Sequence, residues 1–131
     1  MNPKGLSTAR SVVAVATPRT LFRRTKSATQ LTNIAFFRAK PNQTQALGTA
    51  LSALVEPTRA EAGCLNYDLH QSLDDTDVWF VYENWRSAEG LSVHMQSEHL
   101  RAFLKAAPDL IAGDIDLRQF AMISKKSSPR A

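Results

Sequence analysis

The chain has 131 residues, a hydrophobic fraction of 44% and a formal net charge of +4, which fits one domain with a single core. The one cysteine excludes an internal disulfide and suits a reducing compartment. No apolar run reaches the roughly 18 residues that a membrane-spanning helix needs, so we expect a cytoplasmic protein that has no membrane partner.

The positive charge is concentrated at the two ends of the chain. Residues 1–30 carry six basic side chains and no acid, residues 31–124 carry seven basic and twelve acidic side chains, and residues 125–131 carry three basic ones. We therefore predict a basic N-terminal extension (1–30), a mildly acidic domain (31–124) and a basic C-terminal tail (125–131). Because the basic groups form no evident folded face, nucleic-acid binding is not expected.

Three interpretations of residues 1–30 stay open. The Ser, Thr and Arg content without acids is typical of an organelle transit peptide. The apolar run Val12–Ala16 resembles a signal peptide but is shorter than the usual apolar region. The third interpretation, which we favour, is an extension without a targeting role.

Apolar spacing along residues 31–124 predicts the order β-α-β-β-α-β. A strand over Leu31–Ala39 stops at the breaker pair before Asn42, which we expect to cap a helix with Gln45 as its capping-box partner. Pro57 should kink or restart that helix, which we expect to end at Gly63. The core face of the helix is predicted from four apolar residues at helical spacing: Leu47, Leu51, Leu54 and Val55.

The second half of the domain begins with two predicted strands, 64–71 and 78–85, which are joined by an Asp-rich turn. Ser87 should cap a short helix and Ser97 a second one. The second helix presents Leu100, Phe103, Leu104 and Leu110. A last strand is expected over 114–123.

The third strand, 78–85, has large apolar side chains on both of its faces. One face carries Trp79, Val81, Glu83 and Trp85, and the other carries Val78, Phe80, Tyr82 and Asn84. Because the helices can cover only one face, we expect a second copy of the chain to cover the other. The strand therefore predicts a homodimer.

Three segments together resemble one known family. They are Gly63–Leu69, Glu83–Arg86 and the stretch 87–103, which contains His94 and His99. Their order resembles that of the antibiotic biosynthesis monooxygenase (ABM) family, over about Leu31 to Ile123. The resemblance implies a ferredoxin-like α+β domain that pairs into a dimeric barrel. It also implies a quinol monooxygenase-like activity on an electron-rich aromatic substrate with dioxygen and without a cofactor.

Two residues are the candidate catalytic groups. Glu83 lies between Val81 and Trp85, an apolar setting that raises the pKa of a carboxyl or requires a partner such as Arg38 or Arg86. His94 suits proton transfer near neutrality, although a hydrogen-bonded structural role stays open.

Five further residues are candidates for substrate binding: Trp85, Tyr67, Asn66, His99 and Phe103. Core packing is the alternative for the aromatic ones. Asn66 and Tyr67 are neighbours on one strand, so at most one of them faces a given pocket. His94 and His99 are five residues apart, about 140° around an ideal helix, which argues against a zinc pair. No metal site is therefore expected.

Other functions stay open. Haem-degrading relatives have Asn, Trp and an axial His where this chain has Phe37, His94 and Leu104, so haem degradation is not expected. Other relatives isomerise small oxygenated metabolites, and their strand acid and helix His overlap with this pattern. A dimeric barrel that binds a small ligand without catalysis is the remaining alternative.

Overall fold

The computed structural model describes residues 29–127, so most of the predicted N-terminal extension and residues 128–131 lie outside the described part. The elements in chain order are β1 Leu31–Arg38, α1 Thr44–Arg59, β2 Cys64–Gln71, β3 Val78–Trp85, α2 Ala88–Met95, α3 Glu98–Leu110 and β4 Asp116–Phe120. The predicted β-α-β-β-α-β order is confirmed, with the second connection divided into two helices. Among the described residues, no helix combines the length and the apolar character needed to cross a membrane.

The four strands form one antiparallel sheet in the order β2-β3-β1-β4. This order and the two crossovers give a ferredoxin-like α+β fold, as predicted. In the strand register, Glu83 of β3 lies opposite Asn33 of β1 on one side and opposite Tyr67 of β2 on the other. Because paired residues point to the same face, the three side chains lie abreast in the middle of the sheet.

The core lies between one face of the sheet and the helices. On β1 the burial alternates, with Leu31, Asn33, Ala35 and Phe37 buried. The phenyl ring of Phe37 meets that of Phe103 on α3 edge to face, with centroids 5.9 Å apart, which is a favoured geometry for two aromatic rings. The helices contribute five leucines to this core: Leu47, Leu51, Leu54, Leu91 and Leu100.

The opposite face of the sheet keeps large side chains partly exposed. The rings of Phe36 and Phe80 pack at 5.4 Å, and the ring of His70 stacks on Phe80 at 4.5 Å. Tyr82 and Phe120 on the same face are 38% and 49% exposed. We call this surface the open sheet face. It is the surface for which a covering copy was predicted.

The start of α1 differs from the prediction. Asn42 does not cap the helix, because it adopts a left-handed conformation with φ 66°. It follows Pro41 in a turn that is closed by a hydrogen bond from the Gln43 N–H to the Lys40 carbonyl, 2.9 Å long, and asparagine tolerates this conformation better than most residues. Gln43 is the cap residue, and it makes no side-chain capping bond.

The two predicted serine positions do mark the starts of α2 and α3. Only Ser97 caps with its side chain, which accepts a hydrogen bond of 3.2 Å from the Leu100 N–H. This cap separates α3 from α2, so that the chain changes direction between His94 and His99.

The turn between α1 and β2 packs tightly against α2. Gly63 lies against Gly90, and a Cβ atom built on Gly63 would stand 2.8 Å from the Gly90 Cα. The Gly63 carbonyl also accepts a hydrogen bond of 2.8 Å from the Arg86 N–H. The contact holds the turn that carries Glu61 against the helix that carries His94.

We expect the substitution Gly63→Ala to destabilise the fold by about 1–3 kcal/mol, the typical cost of overpacking, because the new methyl group meets backbone rather than a movable side chain. Urea unfolding measures this loss. Gly90→Ala is the matched control: its Cβ would lie 3.2 Å from the nearest atom, so its cost should be smaller. An unfolding free energy of Gly63→Ala equal to that of the wild type would contradict the packing described here.

Candidate functional site

A small cavity of about 40 Å³ lies between the helix-facing side of the sheet and the helices. Its polar lining residues are Asn33, Tyr67, Glu83 and His94. The rest of the lining is apolar: Ala35, Phe37, Leu54, Met95, Leu100, Phe103, Leu104, Ile115 and Leu117. The few polar groups therefore converge on one region of an otherwise apolar interior, which is the usual character of a small-molecule site.

Glu83 is the acid of this cavity and is only 3% exposed. Burial raises the pKa of its carboxyl from 4.5 to about 7; hydrogen bonds with Trp85 and Asn33 offset part of the rise, and the negative charge of Glu61 adds to it. The Trp85 indole N–H donates to the Glu83 Oε1 over 2.8 Å. A carboxyl of this kind can accept or release a proton near neutral pH.

The ion pair considered for Glu83 does not form. Arg38 pairs instead with Asp75, with 2.9 Å between the guanidinium Nη2 and the Asp75 Oδ2. The Arg86 Nε donates to the Ala62 carbonyl at 3.0 Å. Among the residues that the structure describes, the donors that lower the pKa of the Glu83 carboxyl, the Trp85 indole and the Asn33 amide, are both uncharged, which leaves the effect of burial on this pKa largely intact.

His94 lies at the end of α2 and is 3% exposed. Its ring packs against Trp85, with centroids 4.8 Å apart, and against Tyr67, with centroids 5.7 Å apart. Burial lowers the pKa of His94, and the hydrogen bond and charge of Glu61 oppose this effect. The imidazole is therefore mainly uncharged at neutral pH, with one ring nitrogen free to accept a proton.

Glu61 orients both histidines of this region. Its Oε2 lies 2.8 Å from the His94 Nδ1 and 2.7 Å from the His99 Nε2. Since a carboxylate oxygen can only accept, each of these ring nitrogens carries the hydrogen. In the uncharged ring of His94 the remaining nitrogen, Nε2, then holds the lone pair. Glu61 thus fixes the tautomer of a residue that lines the cavity.

The other predicted residues fall into two groups. Tyr67 and Phe103 line the cavity, and Trp85, which is fully buried, supports Glu83 and His94 from behind. Asn66, by contrast, points to the open sheet face, where its Oδ1 accepts a hydrogen bond of 3.0 Å from the Asn84 Nδ2. His99 contacts Glu61 and is not among the residues around the cavity.

Two neighbouring groups that could ionise are held neutral. Burial is the main cause that raises the pKa of the Tyr67 hydroxyl, and the charge of Glu83 adds to it. Burial, followed by the charges of Glu61 and Glu83, raises the pKa of the Cys64 thiol to about 11. A nucleophilic role for Cys64 at neutral pH is therefore disfavoured, because its reactive thiolate would be scarce.

Two residues of the site were not predicted from the sequence. Glu61 sits in the turn before Gly63, and only its position two residues before the glycine could have drawn attention to it. Asn33 lies at one of the alternate, buried positions of β1 and is itself only 3% exposed. A polar side chain among the apolar residues of that face is the feature that could have identified it. The side-chain Oδ1 of Asn33 has no partner among the described residues, so it is available to a ligand.

Glu61, His94 and His99 also form the one cluster among residues 29–127 whose donor atoms could hold a metal ion together. The angle of about 140° between His94 and His99 applies only to one continuous helix. Because α2 and α3 are separated at Ser97, as predicted, both imidazoles reach the same carboxylate oxygen.

Comparison with known proteins supports the family resemblance that the sequence indicated. The family model "Antibiotic biosynthesis monooxygenase" matches residues 30–106. Rv0793 of Mycobacterium tuberculosis, which is provisionally named a monooxygenase, is 32% identical over 95 residues, or 72% of this chain and 93% of that protein. An uncharacterised Synechocystis protein, sll1783, is 25% identical over 81 residues, or 62% of this chain, and the match spans 55% of its own length.

Solved structures agree with the fold. The crystal structure of PA3566 from Pseudomonas aeruginosa superposes with a TM-score of 0.70 at 38% identity, covering 73% of this chain and 96% of that one. The family match spans more than half of the chain, and the fold is the one that the family resemblance implied. The chain therefore belongs to the antibiotic biosynthesis monooxygenase family.

Proposed function

We propose that this protein is a monooxygenase that uses dioxygen to oxidise an electron-rich aromatic substrate, a hydroquinone or a polyketide-like phenol. The observation that supports this most is the pairing, in one apolar cavity, of a carboxyl whose pKa is about 7 with an uncharged, oriented imidazole. Family membership supports a monooxygenase-type activity in general terms.

The first step is removal of the phenol proton. The His94 Nε2 or the Glu83 carboxylate accepts it, and both groups belong to residues that line the cavity. The Asn33 amide, whose oxygen lacks a partner among the described residues, is placed to hydrogen-bond a substrate hydroxyl. In apolar surroundings the resulting phenolate is a better electron donor than it is in water, because its charge is less solvated.

The substrate supplies both electrons for the oxygenation. The phenolate transfers an electron to dioxygen, and the two radicals combine to form a carbon–oxygen bond in a hydroperoxide. The hydroperoxide then loses water and leaves a carbonyl. For a hydroquinone the products are a hydroxyquinone and water, so atoms and electrons balance without an external reductant. The protein binds, orients and moves protons.

The cavity has to widen when a ring binds. About 40 Å³ is far below the roughly 150 Å³ that an engineered cavity offers to benzene. Met95 and Leu104 belong to the lining and are only partly buried. Movement of these two side chains, one at the end of α2 and one within α3, would widen the cavity, and the unbranched methionine repacks readily.

A second candidate function is isomerisation of a small oxygenated metabolite. The small volume of the cavity favours this function, and a carboxyl beside an imidazole can also move a proton between two carbon atoms. The two activities are separable, since only the oxygenase consumes dioxygen.

We also propose that the protein is a homodimer whose partner covers the open sheet face. The Phe36–Phe80 pair and the exposed Tyr82 supply an apolar and aromatic surface of the kind found at subunit interfaces. This arrangement closes two sheets into a barrel, as a twofold axis permits.

The activity is tested by oxygen uptake with a panel of hydroquinones and anthrones. On an active substrate, His94→Ala should lower turnover by roughly 100-fold, the low end for general acid–base catalysis, because the oriented proton acceptor is lost. His70→Ala removes a histidine outside the cavity and is the matched control; turnover should be unchanged when sedimentation shows this variant to have the same mass as the wild type. Full activity in the His94 variant would contradict the proposed mechanism.

Sedimentation equilibrium tests the assembly. We expect a particle of twice the chain mass at micromolar concentration, and the substitution Tyr82→Lys should shift it toward the monomer because a desolvated charge is placed at the interface. Val93→Lys is the control, since Val93 is 62% exposed on α2 and away from the sheet. A wild-type protein that stays monomeric would contradict the dimer.

A further inference from the structure

The cluster formed by Glu61, His94 and His99 has a second chemical capacity besides orienting an imidazole. Each residue offers one ligand atom, and these atoms all lie within 4.8 Å of one another. We propose that the cluster binds one divalent transition-metal ion, of the class that includes Zn²⁺, Co²⁺ and Fe²⁺.

The donor set selects this class of ion. Two imidazoles and one carboxylate suit Zn²⁺, and the same set on one side of an ion occurs in ferrous oxygenases. Mg²⁺ and Ca²⁺ prefer ligand sets made of oxygen atoms, and this cluster offers oxygen from Glu61 alone. The site is therefore expected to discriminate against the alkaline-earth ions.

One atom of the cluster lacks a partner without an ion. The Glu61 Oε1 is buried and accepts no hydrogen bond from the described residues, whereas the Oε2 accepts from both histidines. A buried acceptor that stays unsatisfied destabilises the folded state. A cation coordinated by this carboxylate removes that destabilisation, and the unpaired oxygen is the observation that favours a ligand over a purely structural network.

The three donors are held by separate, well-anchored elements. Glu61 sits in the turn fixed by the Gly63–Gly90 contact, His94 ends α2 against the Trp85 ring, and His99 lies in the first turn of α3 behind its Ser97 cap. Such anchoring before binding lowers the ordering cost of a metal site.

The rearrangement that metal binding needs is mainly an approach of the two imidazoles, because the donor atoms span up to 4.8 Å. With metal–ligand bonds of about 2.0–2.2 Å, neighbouring ligand atoms stand roughly 3–3.5 Å apart. The two oxygen–nitrogen distances of 2.7 and 2.8 Å are close to this range, whereas the two ring nitrogens, within 4.8 Å of each other, have to approach. The ion takes the place of the two hydrogens, and each neutral imidazole then carries its hydrogen on its other ring nitrogen. In the metal-bound form the proton acceptor of the cavity is therefore Glu83. The His99 side chain, at 23% exposure, is freer to adjust than that of His94, and its exposed side leaves room for a water ligand.

Titration of the chelator-treated full-length protein with Co²⁺ tests the site. We expect visible ligand-field absorption that saturates at one equivalent, and competition by Zn²⁺ but not by Mg²⁺. Glu61→Gln and His99→Ala should each weaken Co²⁺ binding by at least about tenfold. His70→Ala and Cys64→Ser are the matched controls for adventitious histidine and thiol binding, and both should keep the wild-type affinity.

Three results would overturn the proposal: no saturable Co²⁺ spectrum in the wild type, a spectrum that His70→Ala or Cys64→Ser abolishes, or an affinity that is unchanged in His99→Ala. The titration of the wild-type protein tests whether the metal site exists even if Glu61→Gln fails to fold. Thermal unfolding adds a second readout, because an ion that binds only the native state raises Tm; Zn²⁺ should raise it and Mg²⁺ should not. Binding is measured without turnover, so its failure is distinguishable from a failure of the oxygenase activity.

Discussion

Burial of the Glu83 carboxyl on the helix-facing side of the sheet is the constraint on which the rest of the site depends. Its pKa is raised from 4.5 to about 7, so the folded state binds this proton more tightly than the unfolded chain does. The contribution of the Glu83 proton to the free energy of unfolding is therefore complete below about pH 4.5. This contribution is lost as the pH rises to about 7, and above that pH it no longer changes. The loss is roughly 3–4 kcal/mol, since a tenfold change in proton affinity is about 1.4 kcal/mol.

A cost of this size is characteristic of a functional site rather than of a core. An apolar residue at position 83 would pack between Val81 and Trp85 without a titrating group in the interior. The Trp85 indole and the neighbouring Asn33 reduce the cost by hydrogen bonding, but they carry no charge that would return the carboxyl to its ordinary pKa. The arrangement keeps an acid–base group poised near neutrality inside an apolar cavity.

The strand part of the fold was largely predictable, and the helix boundaries less so. The strands β2 and β3 run over the predicted residues because their apolar pattern is short and bounded by turn residues. The cap of α1 was predicted wrongly, since Asn42 can serve either a cap or a left-handed turn, and Pro41 before it favours the turn. The last strand is shorter than predicted, Asp116–Phe120, because its pairing with β1 spans only that stretch.

The candidate site was predictable where it depends on alternation along one strand, and it was missed where it depends on contacts between distant segments. Glu83 and Trp85 follow from the period of β3. Glu61 does not, because it becomes important only when the turn before β2 packs on α2 and meets His94, 33 residues away in the chain. His99 was expected among the substrate-binding residues; it lies beside Glu61 and outside the cavity lining, and its part in substrate binding stays a prediction.

Titration of Glu83 by ¹³C NMR, on protein labelled at the glutamate carboxyl carbons, tests directly whether this carboxyl is the proton-transfer group of the cavity. The resonance that disappears in Glu83→Gln identifies the residue. We expect a midpoint at about pH 7 for this resonance, displaced from the 4.5 of an unperturbed glutamate. A midpoint near 4.5 would show that the carboxyl is ionised throughout the neutral range, and it would contradict the assignment of Glu83 as the proton-transfer group of the cavity.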